Sequence, residues 1–310
     1  MISRDCASRT SKADRKRCKT LSKSKILSHF QSDQILIWTL RGCAVVAGAI
    51  VVLIVVFLGL EALPVVQHVG LLRFFTDASW NPAEGLYNLT PMLWGTLLAM
   101  AGSVLVATPL GILSAVFCHY YAPPAIAGLY RRLIELLAGI PSVVYGFWGL
   151  VVLVPLIGRI QPPGTSLLAG IAIVTIMILP TIALMADASL AKVPPEYLRG
   201  AAALGLSRWG TIWGVVFPAA KSGLFTGVIL ETGRAIGETM AILMVCGNVV
   251  QTPKSLFDPM RTLTANIALE MAYATGDHRS ALFVSGLVLM ALIIALVVAV
   301  EVISKGRIYE

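Results

Sequence analysis

Apolar residues in this chain fall in long blocks, with the polar and basic residues collected between them. Six blocks approach or exceed the roughly 20 residues that an α-helix needs to cross a bilayer core. They are residues 36–60, 92–117, 133–157, 166–188, 222–246 and 281–303. The pattern predicts an all-α membrane protein with six transmembrane helices. The first block follows a basic region, as a signal-peptide core does. It is far longer than the roughly 7–15 residues of such a core, and no small-x-small cleavage site follows Leu60-Glu61-Ala62-Leu63-Pro64, so it is expected to be retained.

Composition supports this reading. Of 310 residues, 57% are hydrophobic and only 13% charged, and the mean hydropathy is +0.83. A soluble domain carries about 25% charged residues. A soluble globule, a disordered chain and a disulfide scaffold are all excluded, the last by five Cys in such a length. The net charge of +8 is uneven, with nine basic residues between Arg4 and Lys25. No soluble basic domain follows them, so residues 1–34 read as a cytoplasmic tail that sets orientation and touches anionic lipid, not as a nucleic-acid-binding arm. With the N-terminus inside, 18 Lys and Arg fall in cytoplasmic segments and five in outer ones, while Arg234 lies within a span. Both termini are therefore expected in the cytoplasm, around a permease domain at 35–305 with a short cytoplasmic end at 306–310. Outer loops are expected at about 61–91 and 247–280, and the longest inner loop at about 189–221. Cys6, Cys18 and Cys118 are then cytoplasmic, Cys43 is in the first span and Cys246 is near the outer face, so no disulfide is expected. His29, His68, His119 and His278 lack ligand spacing, and neither a metal nor a cofactor is expected.

The chemistry of the sequence is sparse. No Gly-x-x-x-x-Gly-Lys-Ser/Thr stretch occurs, since Lys221-Ser222 lacks the preceding glycines, and no nucleophile–base–orienter set stands out. An enzyme is not expected. In the inner loop, about 193–218, Pro194-Pro195-Glu196 reads as a helix start. Gly200, Ala201, Ala202 and Ala203 make that helix smooth, Gly205 ends it, and Ser207 caps a second one. A smooth helix there suits insertion into a groove of a partner protein, or serves as a plain connector.

Charge within the fifth block is the other informative feature. At about 100° per residue, Gly223, Gly227, Glu231, Arg234, Glu238 and Ala241 share roughly an 80° arc. Three charges facing lipid would cost several kcal/mol each, on the order of 2.5 to more than 10, so this stripe is expected to face protein or water. It reads either as a buried ion triad or as an anion path, with Arg234 attracting the anion and Glu231 and Glu238 restraining it. In the third block Glu135, Gly139, Ser142, Gly146 and Gly149 share a similar arc, and Pro141 interrupts the hydrogen-bond ladder. Pro109 and Pro180 read as simple kinks.

These stretches resemble a known family. Gly205 with Pro218 thirteen residues on, and Val215 and Phe217 between, is similar to the cytoplasmic "EAA" loop of ABC importer permeases, although the family's Glu-Ala-Ala falls here on Arg199-Gly200-Ala201. Ile134-Glu135-Leu136-Leu137-Ala138-Gly139-Ile140-Pro141-Ser142, Gly233-Arg234-Ala235-Ile236-Gly237-Glu238-Thr239-Met240 and Ser255-Leu256-Phe257-Asp258-Pro259 resemble the phosphate-specific (Pst) permeases of PstC type. The resemblance covers about residues 70 to 305. It implies a type I ABC importer permease in a bacterial cytoplasmic membrane, passing inorganic phosphate inward. Its implied partners are a homologous PstA-type permease, two copies of an ATPase that docks on the loop holding Glu196, Arg199, Gly200, Ala201, Ala202 and Gly205, and an extracytoplasmic phosphate-binding protein. Arg234 and Glu238 match the family's charges, whereas Glu231 does not. The rivals are the same transporter class carrying sulfate, molybdate or phosphonate, a self-contained secondary transporter or channel, and a membrane-embedded enzyme.

Overall fold

A computed structural model describes residues 12–306, with the side chains of residue 34 and residues 36–299. Arg4, Cys6, Arg9 and Arg307 lie outside the described residues. The chain divides into two units, residues 1–57 and 58–310. The first is wholly helical from Lys12 onward, part of α1 (Lys12–Val69), and its apolar side chains from Leu36 to Phe57 are exposed. The helix continues through Val69 despite Pro64, so residues 61–69, expected in an outer loop, are helical.

In the second unit a short connecting segment follows. It comprises α2 (Arg73–Thr76) and a two-stranded hairpin of β1 (Trp80–Asn81) and β2 (Leu86–Tyr87), paired antiparallel with Trp80 opposite Tyr87. Then come α3 (Thr90–Val116), α4 (Pro124–Ala138), α5 (Ser142–Trp148), α6 (Val154–Gly158), α7 (Leu167–Leu190), α8 (Pro195–Ala203) and α9 (Arg208–Thr211). The chain ends in α10 (Phe217–Gly237), α11 (Met240–Val245), α12 (Leu263–Glu270) and α13 (Gly276–Gly306). Among the described residues, five helical stretches are long and apolar enough to cross a membrane: Leu36–Val69, Thr90–Tyr121, Leu167–Leu190, Arg208–Gly237 and Gly276–Ala299. A sixth is formed by Pro124–Ala138 with Ser142–Gly158, bent by 91°.

Two expected spans are therefore not single helices. The third turns sharply at Gly139–Pro141, because Pro141 cannot donate to the ladder and forces the preceding residue out of helical geometry. The Tyr145 hydroxyl donates across the bend to the Leu137 carbonyl at 2.9 Å, which also accepts from the Ile140 N–H at 3.2 Å. The fifth begins earlier than expected, at Arg208, and its long helix stops at Gly237. Pro109 and Pro180 sit inside continuous helices.

The core is built around α7, of which Ile173, Val174, Met177, Ile178 and Ile182 are buried. On α3, Gly95, Ala99, Ser103, Ala107, Gly111 and Ala115 recur every four residues and are all buried. An added Cβ at Gly102 would lie 2.5 Å from Ile171, and at Gly111 2.7 Å from Ile182. Small side chains thus set the α3–α7 approach, as in membrane helix packing generally. The hairpin and the segments around α12 and the start of α13 are tied by one buried carboxylate, Glu270. It accepts from Trp80 Nε1 (2.9 Å) and Arg261 Nη1 (2.6 Å), and His278 Nε2 lies 2.9 Å away. Cys118 and Cys246 are buried, Cys43 is exposed, and all three are free thiols.

Candidate functional site

The charged stretch of α10 owes its position to glycine. An added Cβ at Gly223 would lie 2.5 Å from Ser189 Oγ, and at Gly227 2.9 Å from Met185 Cβ, so only glycine lets α10 lie this close to α7. One turn on, Glu231 is buried at 7% exposure, and its Oε2 has no hydrogen-bond partner. Arg234 Nη1 stands 4.0 Å from that oxygen, with 40% of its side chain exposed. This is a loose pair, too long for a hydrogen bond, so the guanidinium keeps most of its donors available.

Glu238 is not on the same helix. It follows the end of α10 in an extended conformation, φ −65° and ψ 124°. Its Oε1 accepts from the Ala241 N–H at 3.0 Å, its carbonyl accepts from the Thr264 hydroxyl at 3.0 Å, and the Thr239 hydroxyl donates to the Gly237 carbonyl at 3.1 Å. The expected six-residue stripe is therefore broken, and Glu238 and Ala241 do not continue it. Among the described residues no Arg234–Glu238 ion pair forms. Glu238 instead caps the first turn of α11, where a carboxylate meets unpaired N–H groups and the positive end of the helix. In sequence, Gly237 just before a Glu-Thr pair is a stop–start signal that the apolar periodicity obscured. Thr264 has no local signature, because its partner is 26 residues away.

The expected shared face of the third span is also absent. Glu135 is exposed on the last turn of α4, while Ser142 is half-buried at the start of α5, beyond the 91° bend. Among the described residues neither forms a hydrogen bond or ion pair with Arg234. The structure does bring α5 against α11, where an added Cβ at Gly146 would lie 2.8 Å from Ala241 Cα.

The loop at 193–218, expected on the inner side, forms as its sequence dictates. Pro195 opens α8, and Gly205, at φ +71°, closes it. The Leu206 N–H reaches the Ala201 carbonyl at 3.1 Å and the Gly205 N–H the Ala202 carbonyl at 3.0 Å, the paired bonds of a Schellman end. Ser207 caps α9, accepting from the Gly210 N–H at 3.1 Å. Glu196, Arg199, Gly200, Ala202 and Gly205 are exposed, with Tyr197 and Leu204 among them. Ala201 is buried at 3% exposure on the inner side of α8, so it is not part of the exposed face.

A helical chain with several stretches able to cross a membrane, a loosely paired cation beside a capped helix break and a smooth exposed helix, α8, fits a membrane transport component. The chain belongs to the family of binding-protein-dependent transport system inner membrane components, whose model matches residues 107–308. It is 40% identical over 273 residues to the Probable ABC transporter permease protein YqgH of Bacillus subtilis (strain 168), covering 86% of this chain and 88% of that one. The phosphate transport system permease protein PstC of Xylella fastidiosa (strain Temecula1) is 36% identical over 246 residues, covering 73% and 76%. Among solved structures, a bacterial alginate ABC transporter in complex with an alginate pentasaccharide-bound periplasmic protein aligns over 93% of this chain and 97% of its own, with TM-score 0.62 and 14% identity. An inward-facing MetNI methionine ABC transporter aligns over 70% and 93%, with TM-score 0.55 and 19% identity. The fold is that of type I ABC importer permeases. The chain is an inner-membrane component of a binding-protein-dependent transport system, a permease rather than an enzyme.

Proposed function

We propose that this chain passes inorganic phosphate inward, as the PstC-type member of a heterodimeric permease whose other half is PstA-type. Both termini lie in the cytoplasm in this reading, and the permease domain extends over about 35–305. The observation that carries it is Arg234. It is a half-exposed guanidinium within a helix long enough to span a membrane, weakly engaged by Glu231, next to a break whose backbone is held by Glu238 and Thr264. A guanidinium so placed attracts a tetrahedral anion, and its loose acidic neighbour keeps binding weak enough for release. Similarity to proteins named as phosphate transport permeases supports phosphate among the oxyanions. The role of Glu238 is structural in this reading: it shapes the break that presents the cation. Glu135 and Ser142 belong to the flanks of the α4–α5 hinge rather than to the anion contact.

The exposed face of α8, with Glu196, Arg199, Gly200, Ala202 and Gly205, docks into the ATPase dimer, and an extracytoplasmic phosphate-binding protein delivers the anion. The test is co-expression with the neighbouring transporter subunits and reconstitution into vesicles, with labelled phosphate uptake measured beside ATP hydrolysis. Phosphate-dependent hydrolysis with uptake, resistant to excess sulfate and molybdate, is the expected result. Uptake of sulfate or molybdate in its place would overturn the assignment of cargo.

A further inference from the structure

Arg131, on α4, donates Nε to Asp187 Oδ2 and Nη2 to Asp187 Oδ1, both at 2.9 Å. Two parallel bonds to one carboxylate fix the relative angle of the groups as well as their distance. His119, in the helical turn Phe117–Tyr121 that directly follows α3, places Nδ1 3.4 Å from Asp187 Oδ1, and the Ser114 and Tyr130 hydroxyls meet at 2.8 Å. Asp187 therefore gathers α3, α4 and α7 at a single point.

Position gives this cluster its interest. Asp187 is in the last turn of α7, and four residues, Ala191–Pro194, separate that helix from α8. The linker is short and bonded back to the helix: Lys192 N–H to Ser189 and Val193 N–H to Leu190, at 3.3 and 3.2 Å. Val193 is buried. A displacement of α8 is thus carried into the last turn of α7. On the other side, Arg131 belongs to the helix that meets α5 through the 91° bend at Gly139–Pro141. The Tyr145–Leu137 bond crosses that bend, and α5 rests through Gly146 against the backbone of Ala241, whose N–H holds Glu238.

We infer that Arg131 and Asp187 are the positioning pair that transmits movement of α8 to the α10–α11 break. The inference rests on the docking role given to α8 above. A clamp that only stabilises the α4–α7 contact has the same static geometry, so the test reads coupling and not amount of protein. The complete importer, with its ATPase and binding protein, is reconstituted with Arg131→Lys, Asp187→Asn, or the exchanged pair Arg131→Asp with Asp187→Arg. Arg131→Lys keeps the charge and loses the two-pronged geometry.

The expected result is normal subunit stoichiometry and substrate-stimulated ATP hydrolysis in the single variants, with substrate moved per ATP falling about tenfold. The exchanged pair recovers most of that loss. An unchanged ratio, with uptake and hydrolysis falling together as assembled complex falls, would show a clamp alone and overturn the inference. If the wild-type importer moves a different oxyanion, the ratio is measured with that anion. An error in the proposed cargo then appears in the wild type, and an error in the coupling pair appears only in the variants.

Discussion

The Thr264 hydroxyl donates to the main-chain carbonyl of Glu238 at 3.0 Å, so the residue that leaves α10 is held in place by the start of α12. Both residues are buried, at 7% and 8% exposure. A helix break inside a membrane survives only where other protein groups satisfy the freed backbone. Thr264→Val keeps the shape and removes the donor. Stranding a buried carbonyl costs about 1–3 kcal/mol. The variant is expected to unfold at a lower temperature in detergent and to lose uptake per assembled complex, both measurable on the purified importer.

Glu238 gives a sharper contrast. Glu238→Gln retains an oxygen to accept from the Ala241 N–H, whereas Glu238→Ala removes the cap, at about 1 kcal/mol. If capping is the role of this residue, the Gln variant keeps most uptake and the Ala variant does not. Equal loss in both would assign the charge itself to the anion path. Labelled phosphate uptake, normalised to assembled complex, separates the two outcomes.

Arg234→Met is expected to abolish uptake. It also leaves Glu231 buried without its cation, but the Arg side of the pair is 40% exposed. The destabilisation should therefore stay below the roughly 3–5 kcal/mol of a fully buried pair. Adding Glu231→Gln should restore thermal stability and leave uptake absent. Recovery of uptake in this double variant would remove Arg234 from the anion path.

On α8 the two neighbouring alanines should behave differently. Ala202 is exposed and Ala201 is buried. Ala202→Trp is expected to yield inserted permease that fails to co-purify with its ATPase, because a ring occupies the face proposed to dock. Ala201→Trp is expected to disrupt the loop itself and raise its protease sensitivity, since overpacking a filled site costs about 1–3 kcal/mol. Arg199→Glu on the same exposed face should weaken assembly if the ATPase presents an acid there, read from the subunit ratio.

Asp77 supplies a pH-dependent anchor in the segment between α1 and α3. Its carboxylate accepts from the Tyr87 N–H and from Arg73 Nε, both at 3.0 Å. Its carboxyl is held below the ordinary value of 3.8, chiefly by the Tyr87 bond; burial opposes this and Arg73 adds to it. A lowered folded value means that the stabilisation is complete above the unfolded value and is lost as pH falls through the folded one. Protease protection of residues 73–87 should therefore drop only in acid, below the ordinary carboxylate range. Asp77→Asn should lower protection at neutral pH and flatten this acid dependence.

Local chemistry made much of this protein legible. Long apolar blocks place the membrane-crossing stretches, because every backbone polar group in lipid must be bonded within its own helix. The ends of α8 and α9 are equally local: Pro195, Gly205 and Ser207 act on bonds within five residues of themselves. Pro141 marks a broken ladder, although its 91° bend separates Glu135 from Ser142, which a continuous helix would have placed on one face.

Only tertiary structure could decide which apolar faces meet protein and where α10 stops. Lipid and protein core are alike to an apolar side chain, so hydropathy is silent on the difference between exposed Leu105 on α3 and buried Ile178 on α7. The polar stripe assumed that α10 continues past Gly237. It ends there because Thr264 and the cap from Glu238 make the break less costly than it would be for an isolated helix. The pairs Arg131–Asp187 and Trp80–Glu270 join residues 56 and 190 positions apart. Such bonds depend on which helices the packing of small residues on α3 and α10 brings against α7. That choice is made by the assembled fold, since no single stretch of sequence contains both partners.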